Sequence, residues 1–199
     1  MANELYVTAE IVAGQLQQSD ASRLGFVGGA CEAASRLIDD YCGRSFARTA
    51  VDSSRSYRPT SSCMVHIDDC YDITTVETDT SGSGTFDAEW AASDYVTEPL
   101  NGIVGSGVIV WPTTRLVAVD TRIFPQYLRP TVQVTGKFGW EQVPEQVRSA
   151  ALILAINIYR SPDAPFGTAG IADLGLTRVR MPQTVKELLD GFRRGPHVR

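Results

Sequence analysis

The sequence is poor in histidine, has no long apolar run and shows no basic cluster outside its C-terminal end. Each of these absences excludes a class of function. Histidine occurs only at positions 66 and 197, so a Ser-His-Asp triad or a histidine-based metal centre would have to use one of them. The longest uninterrupted apolar run covers residues 150–156, far short of the ~20 residues of a membrane-spanning helix. The first basic residue is Arg23, so the positively charged start of a signal peptide is not expected. The formal net charge is −5 and the pI about 5.0. That balance argues against a generic nucleic-acid binder, which needs clustered lysine and arginine to neutralise phosphate.

Catalytic motifs are missing as well. There is no Walker loop, HExxH, GxSxG or CxxC. Gly102, Gly105 and Gly107 precede an expected strand rather than opening a helix, so they offer no phosphate cradle. Cys31 and Cys42 lie in one helical pattern, ~16 Å apart along its axis, too far to pair within it. They read as small apolar core residues. Cys63, His66 and Cys70 fall in a strand-like segment, where alternation points Cys63 and His66 to opposite faces. That disfavours zinc, and no metal or cofactor is expected. The pairs Asp39-Asp40 and Asp68-Asp69 read as structural, the second as turn chemistry. Trp90, Trp111 and Trp140 read as packing anchors.

The 199 residues are 43% hydrophobic and 21% charged, an ordinary globular composition and enough chain for a sizeable core. Charge is unevenly placed. Residues 178–199 carry a net +4, from Arg178, Arg180, Lys186, Arg193, Arg194 and Arg199 against Glu187 and Asp190, whereas the other 177 residues carry −9. A basic end on an acidic body suits docking on an acidic protein partner; it equally suits a solvated terminus.

Periodicity gives the order of elements. Thr8 caps a short helix with Ile11, Val12 and Leu16 as its stripe. A second helix begins near Ser19 or Asp20. Leu24, Val27, Ala30, Cys31, Ala34, Leu37, Ile38 and Tyr41 form its buried face, and Gly43 stops it. Its Gly25, Gly28 and Gly29 either weaken it or permit a close helix contact. Strands are expected at 63–67 and 73–78, with Asp68-Asp69 turning between them, and at 95–97, 108–111 and 131–135. Pro144 opens an alanine-rich helix with Val147, Ala150, Ala151, Leu154, Ala155, Ile158 and Tyr159 on its apolar face. A loop over 161–170 leads to a last helix at about 183–194, with Val185, Leu188, Leu189 and Phe192 on one side. The expected class is α+β: a helical bundle core built from the N- and C-terminal segments, an inserted β-rich region and a C-terminal helical tail. The expected divisions are 1–54, 55–140, 141–160 and 161–199, within a single domain overall.

Four motifs resemble the head-to-tail adaptor proteins of long-tailed bacteriophages, also called head completion or connector proteins. The first is the early helix pair closing on Tyr41-Cys-Gly43-Arg44-Ser45-Phe46. The second is the strand pair around Asp68-Asp69 and Ile73-Thr-Thr-Val76. The third is Ser93-Asp-Tyr-Val-Thr-Glu-Pro-Leu-Asn-Gly102. The fourth is Val132-Gln-Val-Thr-Gly-Lys-Phe-Gly-Trp140, followed by Val143-Pro144 and the helix to Tyr159-Arg160. Their order and spacing carry the likeness across about 8 to 160; beyond Ser161 only a loop and a closing helix match.

The resemblance implies a structural virion protein, assembled in the host cytoplasm. It would form a homo-oligomeric ring, commonly of twelve subunits, below the portal protein at the capsid–tail junction. Such a ring extends the DNA channel and offers a surface to a stopper or tail-completion protein, with DNA passing through the lumen without specific binding. The resemblance carries over no catalytic residues. The C-terminal segment would reach the portal, with Leu188, Leu189 and Phe192 as an apolar anchor and Arg193 and Arg194 as its charged rim. Two other virion-independent classes fit less well: a small cytosolic enzyme with its site near His66, and a regulatory binding module. Within virions the alternative is a tail-completion or stopper ring.

Overall fold

The computed structural model describes residues 5–17, 21–100, 111–160 and 181–194. The chain is α+β, with four helices and a six-stranded antiparallel sheet among the described residues. It divides into two compact units: Met1–Ser45 with Val143–Arg199, and Phe46–Gln142.

The first unit holds the helices α1 (Ala9–Leu16), α2 (Ala21–Cys42), α3 (Glu145–Arg160) and α4 (Gln183–Leu189). α2 packs on α3, α1 on α2, and α4 on α3. The three- and four-residue spacing of α2 buries Val27, Ala30, Cys31, Ala34 and Ile38. Facing side chains on α3 include the buried Val147, Ala150, Ala151, Leu154 and Ala155. Alanine at so many contact positions lets helix axes approach closely. Gly43, at φ +63°, ends α2 in the left-handed conformation that glycine adopts without strain. Ser35 is buried yet satisfied: its hydroxyl donates to the Cys31 carbonyl at 2.9 Å and accepts the Tyr6 N–H at 3.2 Å. The Tyr6 hydroxyl in turn donates to Asp39, which also pairs with Arg36 at 3.0 Å.

Some expected contacts differ. Ile11 and Leu24 are exposed rather than part of the helical stripes, and the burial of α1 rests on Val12 and Ala13. A Cβ at Gly25, Gly28 or Gly29 would meet nothing within 4 Å, so these glycines make no close helix contact among the described residues.

The second unit is the sheet, in the order β1-β6-β2-β5-β4 with β3 paired to β2. The strands are β1 (Ser53–Tyr57), β2 (Met64–Thr78), β3 (Ala88–Trp90), β4 (Tyr95–Glu98), β5 (Thr113–Ala118) and β6 (Val132–Phe138). β6 alternates strictly, burying Val132, Val134, Gly136 and Phe138. The core adds Val65, Ile67, Cys70, Val76, Trp90, Leu116 and Phe124.

The expected turn at Asp68-Asp69 is a correction: β2 runs unbroken through it. Register shifts between His66 and Cys70, Cys70 and Asp72, and Ile73 and Thr75 bend the strand instead. The bend lets β2 pair with β5 over its first half and β6 over its second. The two carboxylates are held in place by partners. Asp68 accepts from Arg55 at 2.8 Å and Tyr57 at 3.3 Å, while buried Asp69 accepts the Trp140 indole N–H at 3.1 Å. Gly139, at φ +100°, follows β6 where a Cβ would stand 2.0 Å from the Ala47 carbonyl oxygen.

β1, β3 and β5 were not expected from the sequence. The expected 108–111 strand, apart from Trp111, lies outside the described residues, as do the 102–107 glycines, the 161–170 loop and His197.

Candidate functional site

The segment with the strongest sequence claim to partner binding is 188–194. Its helix is shorter than the pattern predicts. α4 stops at Leu189, a 3-10 turn covers Asp190–Phe192, and Arg193 is extended. Gly191 is a poor helix residue, and contacts to α2 redirect the chain. Tyr41 donates its hydroxyl to Asp190 at 2.6 Å. That hydrogen bond raises the phenol's pKa, with burial and the Asp190 charge adding to it. The Arg193 guanidinium stands over the Tyr41 ring at 5.1 Å, a cation–π arrangement. The Arg194 N–H donates to the Cys42 carbonyl at 2.8 Å.

The five expected residues therefore divide. Leu189 and Phe192 are buried in the chain's own helical unit, together with Val185. Leu188 and Arg194 are half-buried, and Arg193 is exposed. The apolar side chains act as a latch onto the helices, and Arg193 is the charged group left facing outward.

The other candidates are structural in their surroundings. Burial pushes the Cys42 thiol up to about 12 and the Cys70 thiol to about 11, and it raises Cys31 too, so all three stay protonated. The four cysteines are free thiols, of which Cys63 is exposed. The Thr60 hydroxyl lies 2.8 Å from Nδ1 of His66. Trp90 and Trp140 are buried: Trp90 stacks on Phe124 at 4.5 Å, and Trp140 packs between Phe46 at 5.3 Å and Trp111 at 4.9 Å.

Sequence reasoning missed the latch partners Tyr41 and Cys42, because the Tyr41–Asp190 bond joins residues 149 positions apart. It also missed Asp79. This carboxylate accepts backbone N–H groups from Ser81 at 3.2 Å, Gly82 at 2.7 Å, Ser83 at 3.1 Å and Gly84 at 2.7 Å. Burial works against its ionisation, but the N–H groups outweigh burial and hold the carboxyl below its ordinary value. The usable signal was Asp-x-Ser-Gly-Ser-Gly, an aspartate followed by small residues that can fold back on it.

No protein-family model matches the sequence, and no curated protein matches it significantly. Solved structures do share the fold along essentially the whole chain. One is a chain of the neck of an empty gene transfer agent (GTA) particle, computed with C6 symmetry. It has a TM-score of 0.57 and 13% identity, covering 100% of this chain and 98% of that one. A second is from the neck of the native particle, computed with C12 symmetry, with a TM-score of 0.52, 17% identity and coverage of 100% and 98%. A third is from the virion of the native particle, with a TM-score of 0.56, 14% identity and coverage of 97% and 92%. What these neighbours share with this chain is the fold, over 97–100% of its length.

Proposed function

We propose that this chain is a structural, non-catalytic protein of a phage-like particle, the head-to-tail adaptor of its neck. Twelve copies form a ring below the portal protein, extend the DNA channel and present the seat for a stopper or tail-completion protein. The observation that carries this reading is the shared fold over 100% of this chain and 98% of a chain from a neck computed with C12 symmetry. Two features of the chain fit it. Net acidity keeps contacts to phosphate weak, so DNA slides through the lumen without being gripped. The alanine-rich α3, buried along one face, gives a rigid helical body rather than the small β-rich fold of a stopper.

The portal contact in this reading is the C-terminal segment. Arg193 faces outward and makes the ionic contact with an acidic portal surface, flanked by Leu188 and Arg194. Leu189 and Phe192 fix the segment's position from beneath. Arg193→Glu reverses that charge and also removes the cation–π contact on Tyr41, but it leaves the buried Leu189 and Phe192 in place; it should weaken capture by portal rings, with unchanged circular dichroism as the check on the fold.

Deletion of the gene from the producing genome tests the role. An adaptor predicts filled or leaking heads that carry no tails, alongside complete free tails. Normal tailed particles from the deletion strain contradict it. Heads that retain a neck ring but lose their contents point instead to a stopper.

A further inference from the structure

Exposed apolar side chains scattered over a surface are ordinary, but three of them gather on one stretch of the sheet unit. Between β5 and β6, Ile123 is 67% exposed, Tyr127 45% and Leu128 93%. Their backbone is pinned. Phe124 is buried in the core against Trp90, and its N–H donates to the Ser62 carbonyl at 2.7 Å. The Thr131 hydroxyl donates to the Pro125 carbonyl at 2.6 Å, and its N–H to the Tyr57 carbonyl at 3.1 Å. Tyr127 donates to the Thr80 carbonyl at 3.2 Å and lays its ring against Gly82, in the loop that Asp79 ties down. Arg58 donates to the Leu128 carbonyl oxygen. The apolar tip is thus displayed on an ordered support, which lowers the entropy lost on docking.

The tip is basic. Arg58 and Arg129 are exposed and form no ion pair among the described residues. Where the side chains of α1 and α2 are described, which leaves out those of residues 21–23, the exposed charges outside ion pairs are Glu10, Glu32 and Asp40, all acidic. The same surface leaves Ile11 and Phe26 exposed, Phe26 at 76%.

We propose that the tip at 123–128 docks on the α1–α2 surface of a second copy of this chain, with Arg58 and Arg129 meeting Glu10 and Glu32 around an apolar contact made by Ile123 and Leu128. This inference rests on the ring reading above and names the contact that closes the ring. The two patches differ, so the contact is heterologous, the kind that propagates from copy to copy and closes by rotation.

Sedimentation of the full chain from micromolar to millimolar concentration tests it. The wild-type chain should self-associate, and Ile123→Asp with Leu128→Asp should weaken association by about tenfold or more, as for a buried interface anchor. Arg129→Glu should weaken it too, and association should return when that variant is mixed with Glu32→Arg copies. All these positions are exposed, and unchanged circular dichroism checks that the variants fold. Self-association undiminished by the tip variants overturns the contact and leaves the ring standing. A wild-type chain that stays monomeric throughout, or that instead binds vesicles of anionic lipid through the tip, also overturns it. The neck reading is tested separately, by the deletion phenotype described above.

Discussion

Residues 188–194 and 123–129 are made of nearly the same ingredients: branched aliphatics, one or two aromatics and arginine. Their fates are opposite. In the first, Leu189 and Phe192 turn inward and the chain locks itself to the end of α2. In the second, only Phe124 turns inward, and Ile123 and Leu128 are held out in solvent. What decides is the backbone each segment joins. A helix of about two turns brings apolar residues three and four apart to one face. An irregular loop fixed at a few points sends neighbours in different directions, and burying one side chain strands the next. Composition alone points to the C-terminal segment as the apolar anchor for a partner; geometry moves the exposed apolar surface to the loop.

Substitutions in the two segments should have effects of different size. The largest effect is expected at the latch. Phe192→Ala should destabilise the chain by about 3 kcal/mol, read by urea unfolding, because a nearly buried aromatic leaves a cavity. A loss below about 0.5 kcal/mol, the scale of a surface substitution, would show that the segment is not anchored. Beneath the tip, Phe124→Leu keeps the volume apolar but removes the stack on Trp90, and should cost about 1 kcal/mol. Tyr41→Phe deletes the hydrogen bond to Asp190 at an exposed site and should cost about 0.5 kcal/mol.

The Asp79 loop supports the tip in a pH-dependent way. Its carboxyl is held below the ordinary value, so its contribution is full above about pH 4, its unfolded value, and is lost as pH falls through the lower folded value. The urea midpoint of the wild-type chain should fall more steeply below pH 4 than that of Asp79→Asn. Parallel curves would contradict the cradle. The smallest effect is expected at the tip itself. Leu128→Ala should leave the stability of the monomeric chain within about 0.5 kcal/mol, since the side chain is solvated.

Helical segments were readable because their apolar spacing is long and redundant. α2 and α3 each offer five or more buried positions at three- and four-residue steps, so single errors such as Leu24 do not matter. The sheet was less readable. β6 alternates cleanly, but β1 is Ser-Ser-Arg-Ser-Tyr and has no apolar signal before its last residue. β3 has three residues, and β5 buries only Leu116. In β2, adjacent aspartates imitate a turn, and only partners far along the chain, Arg55 and Trp140, reveal them as strand residues. The latch was half legible: the apolar face of α4 shows in its spacing, whereas its partners lie some 150 positions away. The tip was not legible at all, since burial of Phe124 and exposure of Leu128 depend on packing that no local pattern encodes.

An adaptor, the role proposed for this chain, seats on the portal ring. The most direct test is the mass, by native mass spectrometry or light scattering, of the particle formed when purified chain is mixed with purified portal rings. The expected result is an increase of one subunit of 21.6 kDa for each portal subunit. No increase at any ratio, with the chain remaining free beside intact portal rings, would contradict it.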